Sequence, residues 1–400
     1  MALLICLAGG VFGPSGDGFN LQPEWYWDHP QHHHNTVISR AEGAKIVQNP
    51  TVALLHNGDL VVAFAHNNYV SDAVVTDASI EWSVSHDGGG RWERGQPVAS
   101  AFAGVPDNCP RRAAQSCGGT RLAVFSYGWE NSADTPEKRK ELADQGYYLF
   151  TPEEGNAAGV VSIIHRAWMS RSRDGGQTWE RSDIALPARM PHLACYGDII
   201  ALRDGTFVQP MWGRFDLKKE PKYVSSLVLR SEDDGEHWEI RTAAKAKDLD
   251  FNETSITQAA NGDLVALMRT SGQRELWTAV SPDGGRTWSE PRDSTLRGST
   301  PYLVTSADGL VVAVYARRQR TPGGGGFERT GMYACVSRDN GQRWDAEHQV
   351  ALVGAGTEFV DGYPSAVALP DGSVYAVYGV DGASAIGGTR FHPLRAEFGR

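Results

Sequence analysis

Residues 281–288 read S-P-D-G-G-R-T-W, and nearly the same octet occurs at four other places in the chain. The other copies are S-H-D-G-G-G-R-W at 85–92, S-R-D-G-G-Q-T-W at 172–179, S-E-D-D-G-E-H-W at 231–238 and S-R-D-N-G-Q-R-W at 337–344. All of them fit S-x-D-x-G-x-x-W without a gap. Chance does not produce five such octets in 400 residues, so the chain is built from repeats.

Each octet follows a short apolar run of the kind that forms a β-strand, such as L-W-T-A-V before Ser281. Within the octet, Asp can bond nearby backbone N–H groups and Gly accepts the positive φ of a tight turn. The Trp side chain fills apolar space between sheets. The octet is therefore predicted to be a hairpin turn with an aromatic anchor, and its role is structural.

A second repeat places an Asn-Gly or Asp-Gly turn between two apolar runs, which is the strongest short signal for a β-hairpin. The turn glycines are Gly58, Gly205, Gly262, Gly309 and Gly372. In most repeats an octet follows such a hairpin, so one unit contains two hairpins, or four strands. Four-stranded units that recur about every 50–60 residues indicate a β-propeller.

The predicted fold class is all-β, a six-bladed β-propeller of four-stranded antiparallel blades that forms one domain over residues 1–400. Blade two has a degenerate first half near T-R-L-A-V-F-S-Y-G and an insertion at roughly residues 130–160. Within that insertion D-T-P-E-K-R-K-E-L-A-D-Q-G predicts a short helix, with Pro in its first turn and Gly at its end. Blade six has the hairpin at Gly372 but no octet.

Composition excludes several classes of partner. The net charge is −10 with no long basic run, which argues against nucleic acid, and no apolar stretch approaches the ~20 residues that span a bilayer. No metal-ligand spacing is present, so neither a metal nor another cofactor is expected.

The five cysteines are odd in number and favour a reduced, cytoplasmic chain. The apolar start M-A-L-L-I-C-L leaves secretion open. Nothing predicts the oligomeric state.

Five such octets on a six-bladed propeller resemble the Asp-box (BNR repeat) sialidase, or neuraminidase, superfamily. The resemblance implies an exo-acting retaining glycoside hydrolase that releases terminal sialic or related acidic sugars from a glycan or glycoconjugate. The octet itself marks only the fold, since non-enzymatic propellers carry it too. The residues that act in sialidases lie on other strands, so each is carried over separately.

In sialidases the first blade opens with Arg-Ile-Pro, and a catalytic Asp follows the Arg after about two dozen residues. The matching stretch begins Q-N-P-T and ends at Asp72, so the resemblance assigns Asp72 as the general acid/base, with Asp77 as the alternative. The Arg position holds Gln48, which departs from the family pattern.

Blades four to six supply the other residues that the resemblance implies. In blade four F-N-E-T-S-I places Glu253 at the position of the family's Glu. The resemblance assigns Arg274, and Arg269 at the hairpin end, as substrate-binding arginines. In blade six D-G-Y-P-S places Tyr363 at the position of the family's Tyr. A Glu at the start of a buried strand requires a partner.

In blade five the stretch E-R-T-G-M-Y-A-C-V-S points to Arg329 as a further substrate arginine. Arg317, Arg318 and Arg320 are alternatives for that role.

The resemblance assigns Tyr363 as the nucleophile, Glu253 as the base that accepts its proton and Asp72 as the proton donor to the leaving group. Arginines bind the substrate carboxylate by paired hydrogen bonds, to which Gln48 could add one neutral bond. Two alternatives stay open. One is a hydrolase of the same fold for a different sugar, of the uronic acid or arabinan type, which Gln48 favours. The other is a non-catalytic propeller that binds a glycan.

Overall fold

The structure is a computed structural model in which 280 of the 400 residues are described. The described residues are 34–40, 45–55, 57–71, 74–94, 115–116, 122–147, 149, 151, 158–174, 178, 180–184, 192–214, 223–271, 275–320, 327–353, 362–380 and 385–393.

Strands dominate the described residues and form five antiparallel sheets. The first sheet contains β2 (Lys45–Leu54), β3 (Leu60–Ser71), β4 (Val74–Ser85) and β5 (Glu93–Arg94). The second contains β6 (Gln115–Ser116), β7 (Leu122–Ala133), β8 (Val160–Ser172) and β9 (Glu180–Ile184). The third contains β10 (His192–Cys195), β11 (Ile200–Ala201), β12 (Phe207–Arg214), β13 (Ser225–Ser231) and β14 (Glu239–Ala244).

The fourth sheet has seven strands because one long strand serves two four-stranded groups. Its strands are β15 (Asn252–Gln258), β16 (Leu264–Arg269), β17 (Glu275–Ser281), β18 (Arg292–Thr305), β19 (Val311–Arg320), β20 (Phe327–Ser337) and β21 (Val350–Val353). The first part of β18 pairs with β17, where Arg297 lies opposite Glu275. The second part pairs with β19, from Gly298 onward.

The fifth sheet joins the two ends of the described chain. It contains β22 (Gly362–Ala368), β23 (Val374–Val380), β24 (Ala385–Phe391) and β1 (His34–Arg40). In the β1–β24 ladder Asn35 lies opposite Thr389. The first described strand therefore completes the sheet that the last three strands begin.

A helix, α1 (Pro136–Asp144), lies between β7 and β8, within the segment for which the sequence predicts one. Its N-cap is Thr135, whose hydroxyl accepts a hydrogen bond from the backbone N–H of Lys138 at 3.1 Å. Pro136 occupies the first helical turn, where its missing N–H costs nothing. The chain turns away at Gly146, which has φ of 87°.

The octets are turns closed by their own side chains. In the fourth copy the hydroxyl of Ser281 donates to Asp283 at 2.9 Å and accepts from the N–H of Gly285 at 2.8 Å. Burial opposes the charge of Asp283, but hydrogen bonds from Thr287 and Ser281 outweigh it and lower the pKa of this carboxyl to about 2. The same serine-to-aspartate bond occurs in every copy, at Ser85–Asp87, Ser172–Asp174, Ser231–Asp233, Ser281–Asp283 and Ser337–Asp339.

The hydrophobic core lies between the sheets. One buried cluster joins β2 and β3 to β23 and β24, with members that include Val52, Phe64, Tyr375 and Ile386. Other clusters join the third sheet to β15 and β16, and join β18–β20 to β22–β24. Neighbouring sheets thus pack face to face through apolar side chains, and the first sheet packs against the last in the same way.

Candidate active site

Four strands carry the same one-residue bulge. The pairing register shifts between Gln48 and Thr51 in β2, Asn252 and Ser255 in β15, Ser299 and Tyr302 in β18, and Gly362 and Ser365 in β22. In each bulge one non-glycine residue has a left-handed backbone, at φ of 53° for Asn49, 32° for Glu253, 49° for Thr300 and 40° for Tyr363. Bulges re-aim side chains and occur next to active sites.

Two of these bulge residues, Glu253 and Tyr363, meet although they lie 110 residues apart in different sheets. The phenol of Tyr363 donates to Oε1 of Glu253 at 3.2 Å, and Nη1 of Arg269 donates to the same oxygen at 2.6 Å. The Glu253 side chain is only 6% exposed and that of Arg269 is 21% exposed. The buried carboxylate of Glu253 therefore lies between a phenol and a guanidinium. These two groups are the partners that its burial requires.

The charges of this cluster are coupled. The pKa of the Arg269 guanidinium is raised, chiefly by the charge of Glu253, while burial opposes the rise. Smaller contributions that raise it further come from Tyr363 and Tyr196. Because an interaction between two charges acts on both, the guanidinium favours negative charge on the Glu253 carboxylate.

Tyr196 is a member of the cluster that the sequence did not predict. It follows β10, it is fully buried, and its ring lies 5.9 Å from the ring of Tyr363 between centroids, tilted by 51°. The stretch A-C-Y-G-D around it contains neither an octet nor a hairpin turn, so no repeated pattern marked it.

Asp198 is a second residue that the sequence did not predict. It is 4% exposed, and its Oδ2 accepts hydrogen bonds from three hydroxyl groups on three different strands. The donors are Thr51 in β2 at 2.8 Å, Tyr302 in β18 at 2.8 Å and Ser365 in β22 at 2.7 Å. Each donor is the residue at which pairing with the neighbouring strand resumes after a bulge.

Prolines in the sequence mark three of the four bulges. Pro50, Pro301 and Pro364 each directly follow a bulge residue with positive φ, in N-P-T, T-P-Y and Y-P-S. Pro has no N–H to give to a strand ladder and is found at bulges and strand starts, so the three prolines marked equivalent positions.

The structure does not test every residue that the sequence singled out. Asp72 and Arg274 lie outside the described residues. Gln48 lies in β2 opposite Ala65, directly before the bulge. Asp77 lies in β4. The side chains of Gln48 and Asp77 are outside the described part of the structure.

Among the arginine candidates of the fifth repeat, Arg329 lies in β20 with its Cα opposite that of Arg318, and Arg320 ends β19. Their side chains are outside the described part as well. Arg317 is exposed, and its guanidinium lies 5.1 Å from the ring centre of Tyr333, a cation–π contact that accounts for its position.

A cavity of about 420 Å³ lies beside Asp198 and is lined by residues such as Ile200, Thr257, Thr305 and Val367. Thr257, Thr305 and Val367 come later along their strands than the bulges do, and neither Glu253 nor Tyr363 is among the described residues that line the cavity. Within the described ranges no cluster of histidine, cysteine or acidic side chains is arranged to hold a metal ion. No helix in the described part is long and apolar enough to cross a membrane.

Residues 143–376 match the protein family described as BNR repeat-like domain, and the chain belongs to this family. Among curated proteins, a sialidase of Bacteroides fragilis is 24% identical over 201 residues, which are 46% of this chain and 34% of that protein. The chain thus matches about a third of the length of this relative.

Solved structures share the fold over most of the chain. A Dyadobacter fermentans protein of unknown function aligns with a TM-score of 0.69 at 20% identity, over 90% of this chain and 99% of that one. A Hadza microbial sialidase aligns with a TM-score of 0.58 at 18% identity, over 88% and 66% of the two chains. The intramolecular trans-sialidase of Ruminococcus gnavus aligns with a TM-score of 0.58 at 13% identity, over 89% and 96%. The fold is therefore of the sialidase β-propeller type.

Proposed function

We propose that the chain is an exo-acting retaining glycoside hydrolase of sialidase type, which releases a terminal sialic or related acidic sugar through a tyrosine nucleophile. The observation that carries the proposal is the contact of Tyr363 with Glu253, supported by Arg269 on the same carboxylate oxygen. The four-stranded groups form six blades of one domain, with α1 as an insertion in the second blade.

The choice of a phenol follows from the substrate. A sialoside carries its own carboxylate on the anomeric carbon, so a carboxylate nucleophile would approach against charge repulsion, whereas a neutral tyrosine would not. In the first step the Tyr363 oxygen bonds to the anomeric carbon and its proton passes to Oε1 of Glu253. The bond from that carbon to the leaving oxygen breaks, and Asp72 protonates the leaving oxygen.

In the second step Asp72 takes a proton from water, whose oxygen attacks the anomeric carbon. The bond to Tyr363 breaks, and the phenol recovers its proton from Glu253. Arg269 favours the charge that develops on the Tyr363 oxygen, since the two groups interact electrostatically. Arg274 and Arg329 bind the substrate carboxylate, together with the part of the Arg269 guanidinium that does not contact Glu253.

The test is release of the aryl group from an aryl sialoside. Tyr363→Phe should lower kcat by more than about a thousandfold and Glu253→Gln by about a hundredfold, since the first removes the nucleophile and the second the base. Tyr378→Phe is the control, because Tyr378 is another fully buried tyrosine, on β23, and its hydroxyl contacts that of Thr389 in the described part of the chain. Undiminished turnover by Tyr363→Phe would disprove the proposed mechanism.

Gln48 favours a second candidate function, hydrolysis of a different sugar. Sialidases place an arginine at this position, and a neutral amide gives a hydrogen bond roughly half as strong as a charged one. A panel of aryl glycosides that includes sialosides, uronides and arabinosides separates the two candidates. Hydrolysis of none of them, with retained affinity for a glycan, would favour the non-catalytic propeller instead.

A further inference from the structure

Asp198 connects strands that belong to separate parts of the fold. Its Oδ2 binds hydroxyls from β2, β18 and β22, and all three donors are almost completely buried. One of them, Ser365, also accepts a hydrogen bond from the backbone N–H of Val52 at 3.1 Å. Three donors on one oxygen form a polar network whose members hold one another in place.

The backbone beside Asp198 is fixed against the strand that carries Glu253. The N–H of Gly197 donates to the carbonyl oxygen of Thr254 at 3.1 Å, and the side chain of Gln209 donates to the carbonyl oxygen of Gly197 at 2.8 Å. The approach is so close that a Cβ at Gly197 would lie 2.6 Å from the Thr254 oxygen. Asp198 is thereby tied to the residue that follows Glu253.

The three residues that donate hydrogen bonds to Asp198 lie at the same distance along the chain from the bulge residues. Thr51, Tyr302 and Ser365 each lie two residues after a residue with positive φ, namely Asn49, Thr300 and Tyr363. A left-handed backbone at a residue with a Cβ is unfavourable and persists only where its surroundings hold it. The bonds to Asp198 anchor the chain immediately beyond three of these strained positions.

We propose that Asp198 is a positioning residue, which holds the phenol of Tyr363 against Glu253 by fixing the strands just beyond their bulges. The assignment rests on the proposed roles of Tyr363 and Glu253. Asp198 acts through Ser365 on β22 and through the Gly197–Thr254 contact on β15. A shift of about 1 Å at reacting groups can cost about a hundredfold in rate.

The test removes single donors and leaves the carboxylate in place, because Asp198→Asn could fail to fold. Thr51→Val and Ser365→Ala each delete one hydroxyl that binds Asp198. Thr389→Val is the matched control, since it deletes an equally buried hydroxyl, on β24, that bonds to Tyr378. All proteins are labelled with 3-fluorotyrosine, and the fluorine resonance of Tyr363 is assigned by its loss in Tyr363→Phe.

We expect the Tyr363 resonance to move or broaden in Thr51→Val and Ser365→Ala and to stay in place in Thr389→Val. We also expect the two variants to lower kcat on an aryl sialoside about tenfold with little change in KM, beyond any effect of the control. A Tyr363 resonance that is unchanged in both variants overturns the proposal, whatever the activity. If the parent protein hydrolyses no substrate, the proposed function fails, and the resonance still decides the role of Asp198.

Discussion

At Glu253 the backbone has φ of 32°, a conformation that a side chain with a Cβ makes unfavourable, and the carboxylate is buried as well. Backbone strain of this kind costs about 1–3 kcal/mol per residue. The contacts with Arg269 and Tyr363 offset part of that cost. A residue whose backbone is strained and whose carboxyl group is buried fits a functional role better than a structural one.

The resemblance to sialidases predicted Glu253 and Tyr363, because each lies in a stretch at the start of a repeat that matches the family's pattern. That prediction placed both residues at equivalent positions, and their contact then follows from the arrangement of the sheets. Asp198 and Tyr196 could not be predicted in this way, because their importance arises from side chains that are distant in sequence. Three of the four bulges were marked in the sequence by prolines, but the alternation of apolar residues alone does not specify the strand register on which a bulge depends.

Gln48 provides a prediction at the same scale. If the substrate is a sialoside, Gln48→Arg should raise kcat/KM for an aryl sialoside about tenfold, since an arginine adds a charged, forked contact with the carboxylate. Gln48→Lys is the control, because lysine adds the positive charge without the paired hydrogen bonds of a guanidinium. Its increase in kcat/KM should be smaller. A loss of activity on sialosides in Gln48→Arg would instead support a different sugar.

At the scale of single elements, the octet was predicted as a turn with an aromatic anchor, and its hydrogen bonds have that form. Its glycine also contacts a neighbouring part of the fold, which the repeat alone did not reveal. A Cβ at Gly341 would lie 2.4 Å from Cγ1 of Val265, a residue of β16. The long strand β18 was not predicted either, because a strand shared by two sheets has no separate signal in either repeat.

Gly341→Ala and Gly262→Ala form a matched pair. Both glycines have positive φ, so alanine costs about 1–2 kcal/mol at either site. A Cβ at Gly262 meets no atom within 4 Å, whereas at Gly341 it overlaps Val265. Gly341→Ala should therefore lower the free energy of unfolding in urea by about 1–3 kcal/mol more than Gly262→Ala does. Equal losses would show that the octet glycine does not pack against β16.

At the scale of the whole molecule, the first and last sheets meet. Tyr375 of the last sheet receives a hydrogen bond from Trp92 of the first octet at 3.2 Å, and their ring centres are 5.7 Å apart. The strand β1 adds a second connection through its ladder with β24. The sequence implied such closure through its repeat count, but it did not show which residues form the seam.

A double-mutant cycle tests this seam. Tyr375→Phe and Trp92→Phe should be coupled by about 0.5–1.5 kcal/mol in the free energy of unfolding, because each removes one partner of the same hydrogen bond. Tyr378→Phe provides the control cycle with Trp92→Phe, since Tyr378 bonds to Thr389 within its own sheet. Additive losses in both cycles would contradict the contact between the first and last sheets.

The proposed function is tested most directly by trapping the covalent intermediate. A 3-fluorosialosyl fluoride forms a glycosyl–enzyme bond that breaks down slowly, because the fluorine beside the anomeric carbon destabilises the positive charge of the second transition state. After digestion, mass spectrometry should find one fluorosialosyl group on the peptide that contains Tyr363, and Tyr363→Phe should carry none. A label on another residue, or turnover of an aryl sialoside with no label at Tyr363, would contradict the tyrosine mechanism.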